Sequence, residues 1–228
     1  MSLFYNGKNE PVNDSFQAFL VSEATFTPVE EYPIIQEKMI ATDVPQHIMP
    51  FSKALHFKGD LSKTFICTYE PDGDFERIRK NPRKYLKFFQ RTAGIIGFDY
   101  SIHTDMPLIK QKAQMNDNLS LTYFFGNNGI PVIPNIRCGV DELMPDFLNA
   151  IPKNCLIAIG THGFYKYRYE KYEWYCFLEK ILSELNPSGI IVYGSLTDKM
   201  FDTFKQQCPF YFYTPWIYTH GKEVKDVN

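Results

Sequence analysis

Five short apolar runs recur along the chain, and each stops at a cluster of polar residues or glycines. These clusters begin, in chain order, at Asp99, Asn135, Gly160, Gly194 and Thr214. Short runs that are apolar throughout are typical of strands that are covered on both faces. Segments of helix length separate them, so the strands are predicted to be parallel, with right-handed crossovers. The carboxyl ends of parallel strands meet at one edge, where open α/β sheets and βα barrels carry their sites.

This alternation predicts an α/β fold with a mainly parallel sheet. The six predicted strands are Thr64–Tyr69, Ile95–Ile102, Val132–Ile136, Cys155–Ile159, Gly189–Tyr193 and Phe210–Tyr213. The predicted helices are Asp74–Thr92, interrupted at Asn81-Pro82, about Met106–Phe125, Asp141–Ala150, Tyr167–Leu185 and Thr197–Gln207. A doubly wound sheet and an incomplete or irregular βα barrel both fit the pattern.

The first sixty residues differ from the rest because they show no helical period. We expect an N-terminal extended segment over residues 1–60 that packs on the core, an α/β domain over 61–217 and a polar tail over 218–228. Prolines bracket Val44–Pro50, which predicts an extended connector. Phe16–Phe26 partly alternates in polarity and is a candidate strand.

The composition bounds the class of protein. With 44% hydrophobic residues among 228, the chain can bury a real core, and its net charge of −2 excludes a uniformly basic surface but not a local basic patch. The sequence contains no CxxC spacing, and no apolar run approaches the roughly 18 residues of a membrane span. We therefore expect a cytoplasmic protein of a reducing compartment, without membrane attachment. Its five widely spaced cysteines are Cys67, Cys138, Cys155, Cys176 and Cys208.

The segment after the second predicted strand alternates between polar and apolar residues. If it stays extended, Asp99, Ser101, His103 and Asp105 share one face. Asp99 and Asp105 are therefore candidate catalytic residues for acid–base work. A divalent metal is left open but not favoured. As an alternative role, Asp105 caps the helix that begins near Met106-Pro107.

Two later clusters contain groups that can hold an anion. Asn135 and Arg137 share a face, and the planar guanidinium suits a carboxylate or phosphate; an ion pair of Arg137 with Asp141 or Glu142 is the equal alternative. Successive backbone N–H groups over Gly160–Gly163 could form an anion nest, so the sequence also predicts ligand contacts there. These ligand-binding candidates are Asn135, Arg137, Gly160, Thr161 and Gly163. The third catalytic candidate is His162, because an imidazole titrates near neutrality, although a histidine in a turn often has no such role.

Two basic segments are candidates for nucleic-acid contact. The first predicts one helical stripe, because cations recur there at spacings of three and four residues, and a solvated outer face is the alternative. The stripe comprises Arg77, Lys80, Lys84, Lys87 and Arg91. In the second segment, Tyr165 and Tyr167 alternate with cations, which suits base stacking.

Several motifs come in an order that is characteristic of one family. They are Asn81-Pro82-Arg83-Lys84-Tyr85, Asp105-Met106-Pro107, Ile133-Pro134-Asn135-Ile136-Arg137, Ile151-Pro152-Lys153-Asn154, Gly160-Thr161-His162-Gly163 and Tyr193-Gly194-Ser195. From about Pro45 to Trp216 the chain resembles the DUF4417 family of phage, prophage and bacterial mobile-element proteins. The resemblance adds weight to Asp99, Asp105, Asn135, Arg137, Thr161 and His162.

The chain departs from the family pattern in two places. His103-Thr104 stands where the family usually has an aromatic and a basic residue, which disfavours a metal site that needs His103. Cys138 stands where a tryptophan often follows the arginine.

Two functional hypotheses follow. In the first, a phage or mobile-element accessory protein has a pocket at the strand carboxyl ends for a phosphate-bearing ligand, either a nucleotide or a nucleic-acid end. Hydrolysis of that ligand is a candidate activity, and whether the protein is an enzyme stays open. In the second, a non-catalytic accessory protein binds nucleic acid, or a host or phage protein, through the basic helix and exposed tyrosines.

Overall fold

The computed structural model describes residue 14 and residues 16–161, 168–194 and 201–220, without the side chains of residues 168–171 and 220. Within these ranges the strands are β1 His47–Pro50, β2 Thr64–Cys67, β3 Gly94–Ile96, β4 Val132–Ile133, β5 Leu156–Gly160, β6 Gly189–Tyr193 and β7 Phe210–Tyr213. The helices are α1 Phe51–Ala54, α2 Asp72–Lys80, α3 Pro82–Phe89, α4 Leu108–Asn127, α5 Met144–Asn149, α6 Arg168–Leu185 and α7 Trp216–His220. The predicted α/β class is confirmed.

The strands form two parallel sheets in which the spatial order follows the chain order. One sheet runs β1-β2-β3-β4 and the other runs β5-β6-β7. A parallel bridge joins them, because the Ile136 N–H donates to the Ala158 carbonyl at 2.8 Å and the Ala158 N–H donates to the Pro134 carbonyl at 2.8 Å. A doubly wound sheet would reverse its order part-way. The sequential order therefore favours the incomplete barrel of the two predicted alternatives.

The core has two layers, one on each face of the strands. Among the described residues, the inner layer takes side chains from all seven strands, with β7 represented by the partly buried Tyr211 and Tyr213, and none from a helix. Its buried members are Ala41, Ile48, Phe65, Cys67, Ile96, Ile133, Leu156, Ala158, Ile191 and Tyr193. The partly buried Val44, Tyr69, Ala93, Tyr211 and Tyr213 pack against them. The helices pack on the other face, against residues such as Ile66, Ile157 and Ile190. In an open doubly wound sheet, helices cover both faces. A face without helices favours strands that curve around a shared interior.

A closed barrel would need β7 to pair with β1. Among the described residues these two strands form no ladder. The Tyr213 hydroxyl at the end of β7 donates to the Pro45 carbonyl just before β1, so the two ends lie close together.

The N-terminal region contains a strand that the sequence did not predict. His47–Pro50, within the predicted connector, pairs in parallel with β2 from His47↔Thr64 to Pro50↔Cys67, so the connector prediction is wrong there. A proline can end this strand because β1 is the edge of its sheet, where an N–H is not required. Phe16–Phe26 is not a strand either, since it contains a 3-10 helix over Ala18–Val21.

Helix boundaries depart from prediction mainly at their first residues. The predicted division at Asn81-Pro82 is confirmed, since α2 ends at Lys80 and the Asn81 side chain accepts from the Lys84 N–H at 3.3 Å. The predicted start at Asp74 is wrong, because α2 begins at Asp72. Residues 201–207 form turns, not the predicted helix. No helix in the described ranges is both long and apolar enough to cross a membrane.

Candidate functional site

Side chains that follow three neighbouring strands meet at the carboxyl edge. Tyr69 follows β2, Asp99 follows β3, and Asn135 and Arg137 follow β4; we call these four residues the strand-end site. The Asn135 amide donates to the Asp99 carboxylate at 2.8 Å and to the Phe98 carbonyl at 3.1 Å. The Tyr69 hydroxyl donates to the Asn135 amide oxygen at 2.8 Å. This chain of bonds fixes the orientation of the Asp99 carboxylate.

Arg137 reaches the same carboxylate without forming a hydrogen bond to it. Its Nε lies 4.0 Å from Asp99 Oδ1, and its Nη2 donates to the Ile102 carbonyl at 3.5 Å. The Nε is buried and has no hydrogen-bond partner among the described residues. Its ion pair is with Asp99, not with Asp141 or Glu142 as the alternative expectation had it. The guanidinium therefore has donors to spare beside a carboxylate.

Asp99 is a buried carboxyl whose neighbours only partly compensate for the loss of water. Burial raises its pKa to about 6, although the Arg137 guanidinium and the Asn135 hydrogen bond both lower the pKa and Asp72 raises it further. Its backbone N–H donates to Thr68 Oγ1 at 2.9 Å, which fixes the main chain at that point. A carboxyl that titrates near neutrality can act as an acid or a base.

Tyr69 forms one wall of the site and was missed by the sequence analysis. Its ring stacks on that of Tyr193, with centroids 5.1 Å apart and planes at 18°. The Tyr193 hydroxyl accepts from the Trp216 N–H at 3.0 Å, so the pair is fixed from the β7 side as well. Burial raises the pKa of Tyr69 above its usual value, so it stays a donor at neutral pH.

The strand-end glycines make room for site side chains. A Cβ on Gly160 would lie 2.7 Å from the Tyr69 ring, and one on Gly97 would lie 2.8 Å from the Asn135 nitrogen. Thr161 is buried, and its N–H donates to the Tyr193 carbonyl at 3.0 Å. Gly160 and Thr161 thus have packing roles at this edge. Their predicted ligand contact stays a prediction, since His162 and Gly163 lie outside the described residues.

The family follows from a comparison over most of the chain. Residues 28–211 match the DUF4417 family model, described as a domain of unknown function. The chain belongs to the DUF4417 family. No curated protein and no solved structure matches it. The resemblance drawn from the motifs is confirmed as to family, and the match begins before the Pro45 at which the motifs placed it.

In this DUF4417 chain, Asp105 does not join the strand-end site. It is exposed in the turn before α4, and that helix begins at Leu108 after Pro107, so Asp105 is not its cap either. His103 is also exposed, and Ser101 Oγ donates to the Asp72 carboxylate at 3.0 Å. No group of three His, Cys, Asp or Glu side chains in the described part of the chain is placed to hold a metal.

The basic segment, which we define as residues 77–91, runs over two helices. Arg77 and Lys80 lie in α2, Lys84 and Lys87 lie in α3, and Arg91 follows α3. The prediction of one continuous helical stripe is wrong because the chain breaks at Asn81. All five cations are exposed, and none has an ion pair with a described residue. The predicted stacking residues Tyr165 and Tyr167 lie outside the described residues.

The two other arginines of the segment are engaged. Arg79 contacts Glu76 at 2.7 Å and Asp117 at 3.0 Å. The Arg83 guanidinium lies 3.8 Å from the centroid of the Phe19 ring. The five cations of the predicted stripe form no ion pair or ring contact of this kind with a described residue.

Two surface cavities lie away from the strand-end site. One, of about 380 Å³, lies between Ile34–Glu37 and the residues that precede β5. The other, of about 500 Å³, lies between the N-terminal 3-10 helix, α2 and α4. Neither touches Asp99 or Arg137, so the case for the site depends on its side chains and not on a cavity.

Proposed function

We propose that this DUF4417 protein binds a phosphate-bearing ligand, a nucleotide or a nucleic-acid end, at the strand-end site. In this proposal Arg137 holds the phosphate. The observation that carries it is the buried Nε of Arg137, which has no hydrogen-bond partner among the described residues. A buried donor without an acceptor costs about 1–3 kcal/mol, and a phosphate oxygen would remove that cost.

The state of Asp99 sets the charge that an anion meets. When Asp99 is ionised, its carboxylate competes for the guanidinium at 4.0 Å. When it is protonated, below its pKa of about 6, Arg137 is left without a counter-charge. Binding at Arg137 should therefore gain from the protonation of Asp99 as the pH falls through 6, whereas binding at an exposed cation should only weaken, because a phosphate monoester with a second pKa of about 6 loses negative charge. This dependence distinguishes binding at Arg137 from binding at an exposed cation.

The same carboxyl is the acid–base group of the proposal. With its orientation fixed by Asn135, Asp99 can give or take a proton near pH 6, as hydrolysis of a phosphate ester would require. His162 remains a second candidate on sequence grounds alone. The accessory role in a phage or mobile element, and the cytoplasmic location, belong to this proposal and are supported by the family resemblance and the composition.

Thermal unfolding with a panel of anions tests binding at the strand-end site. The panel contains inorganic phosphate, pyrophosphate and adenosine mono- and triphosphate, each with the wild type, Arg137→Gln and Arg79→Gln. Arg79 is the matched control because it is a partly buried, ion-paired arginine outside the site. A ligand at about 100 times its Kd should stabilise the wild type and Arg79→Gln by about 3 kcal/mol and leave Arg137→Gln unchanged. No stabilisation of the wild type by any anion would contradict the proposal.

The basic segment supports a second candidate function, the binding of nucleic acid without catalysis. Five of its exposed cations form no ion pair with a described residue, so their charge is available for phosphate contacts. Binding should weaken with added salt and be lost in Lys84→Glu with Lys87→Glu. The control is Lys38→Glu with Lys153→Glu, which makes the same charge change at two exposed lysines outside the basic segment. An affinity that does not change with salt concentration would contradict this candidate.

A further inference from the structure

The basic segment and the strand-end site are joined through the start of α2. Asp72, the first residue of that helix, accepts from the Ser101 N–H at 3.2 Å and from Ser101 Oγ at 3.0 Å. Ser101 lies two residues after Asp99. Thr68, at the end of β2, is bonded to the Asp99 N–H. The helix that carries the first cations therefore begins at the same edge as the site.

Helix geometry gives the spacing of these cations from that edge. At 1.5 Å per residue, Arg77 lies about 8 Å and Lys80 about 12 Å along α2 from Asp72. In a duplex, each strand carries a phosphate about every 3.4 Å of helix axis, so along such an axis these distances correspond to roughly two to four phosphates. Lys84, Lys87 and Arg91 continue the exposed positive charge on α3 and beyond it.

Charge is distributed unevenly in this acidic chain. Residues 77–91 contain seven of its 24 Lys and Arg and no Asp or Glu. Two of the seven are engaged within the fold, by Glu76 and Asp117 and by the Phe19 ring. A free nucleotide, with its few phosphates in one place, would use Arg137 and leave the remaining five cations without a role. A polymer of phosphates would use both.

We propose that the ligand of the strand-end site is the terminal phosphate of a nucleic-acid strand, and that the backbone of that strand runs along the basic segment. This inference rests on the proposed function, because it takes Arg137 as the phosphate holder. It adds that the ligand is a strand end and not a free nucleotide. Arg137 then contacts the terminal phosphate and the basic segment contacts the backbone phosphates, so their contributions to affinity can be measured separately.

The test is fluorescence anisotropy with oligonucleotides of about 12 nucleotides, long enough to cover the segment at about 3.4 Å per phosphate. One pair of oligonucleotides carries either a phosphate or a hydroxyl at the 5′ end, and both members are labelled at the 3′ end. A second pair carries either a phosphate or a hydroxyl at the 3′ end, and both members are labelled at the 5′ end. We expect one phosphorylated end to bind about tenfold tighter than its hydroxyl twin, the scale of a charge-assisted hydrogen bond.

Two variants separate the contacts. Arg137→Gln should remove the preference for a phosphorylated end and keep salt-dependent binding. Lys84→Glu with Lys87→Glu should weaken both oligonucleotides equally and lower the salt slope by roughly 2, since each phosphate contact contributes about 0.9. It should leave binding of adenosine monophosphate unchanged. Lys38→Glu with Lys153→Glu, the control outside the basic segment, should change neither property.

The outcomes also distinguish a failure of this inference from a failure of the proposed function, the binding of a phosphate-bearing ligand. If adenosine monophosphate binds as tightly as the phosphorylated oligonucleotide, and the Lys84 and Lys87 variant has no effect, the inference is wrong. The proposed binding of a phosphate-bearing ligand at the strand-end site is then still supported. If oligonucleotides bind with salt dependence but no preference for a phosphorylated end, the inference is wrong and the second candidate stands. If no phosphate-bearing ligand binds, both the inference and the proposed function are wrong.

Discussion

Asp99 is buried in the fold, so its ionised form, which the proposed acid–base chemistry uses, costs stability. Its pKa rises from 3.8 to about 6, so between these values the folded protein holds a proton that the unfolded chain has released. The stability that Asp99 contributes is therefore complete below about pH 4 and is lost as the pH rises through 6, up to about 3 kcal/mol at 1.36 kcal/mol per pKa unit. Asp99→Asn should remove that slope, which denaturant unfolding from about pH 4 to 7 would measure.

The control for this slope is Asp43→Asn, because Asp43 is exposed. It should retain the dependence of the wild type on pH. If the free energy of unfolding of Asp99→Asn falls between about pH 4 and 7 by as much as that of the wild type, a group other than Asp99 causes the dependence on pH.

Gly194 shows how tightly the backbone is packed at the site edge. A Cβ there would overlap Thr161 Oγ1 and lie 2.9 Å from Thr161 Cβ, whereas a Cβ on Gly73 in α2 meets nothing within 4 Å. Gly194→Ala should therefore destabilise the protein by about 1–3 kcal/mol, the usual cost of overpacking. Gly73→Ala should be neutral or stabilising by up to about 1 kcal/mol, since alanine favours a helix. Chemical denaturation measures both, and equal effects would contradict this account.

The site was partly predictable residue by residue. Asp99, Asn135 and Arg137 each follow an apolar run, and that position alone predicted that they would meet. Tyr69 was missed because a tyrosine that closes an apolar run fits a strand equally well, and nothing local shows that its hydroxyl reaches Asn135. Asp105 was over-interpreted, because the alternation that placed it with Asp99 does not say where the chain turns.

At the scale of elements, the junction of α2 and α3 depends on one side chain. Asn81 accepts from the Lys84 N–H at 3.3 Å, which caps α3 ahead of Pro82 at its first position. Asn81→Ala should cost about 0.5–1 kcal/mol, the lower part of the range for a lost cap, because the bond is long. Asn81→Asp keeps an acceptor and serves as the control. Equal loss in both variants, measured by urea unfolding, would show that the cap is not the cause.

The elements that could be predicted are those whose burial shows in the sequence. β5 and β6 are uninterrupted apolar runs, and both were predicted to within a residue or two. β1 was missed because its prolines indicated a connector, and its pairing with β2 depends on residues far along the chain. Local pattern cannot show such a partner, so an edge strand that contains a proline is the element most easily lost.

At the scale of the molecule, strand order was the question that sequence left open. The same alternation of strands and helices suits an open sheet and a barrel, because both use right-handed crossovers. The structure favours the barrel through the inner layer, to which all seven strands and none of the described helical residues contribute. Tyr193 belongs to that layer and stacks on Tyr69, so the interior packing extends directly into the strand-end site.

The packing of β1 and Phe51 predicts that residues 61–217, the predicted α/β domain, do not form a stable unit on their own. A fragment of residues 61–217 lacks β1 and so loses the four residue pairs that β1 forms with β2. It also lacks Phe51, which is fully buried with ring centroids 5.4 Å from Tyr85, 5.8 Å from Phe88 and 5.9 Å from Phe89. Loss of such a ring alone costs about 3–5 kcal/mol, a large part of the 5–15 kcal/mol that stabilises a typical domain.

We therefore expect residues 61–217 alone to lack a cooperative unfolding transition. Circular dichroism and tryptophan fluorescence during urea unfolding would measure this, with the full chain as reference. Phe51→Leu in the full chain is the control, because it keeps β1 and most of the buried volume and should unfold cooperatively at a lower midpoint. A fragment that unfolds with the midpoint of the full chain would contradict this view. The family match points the same way, because it begins at residue 28 and so includes β1.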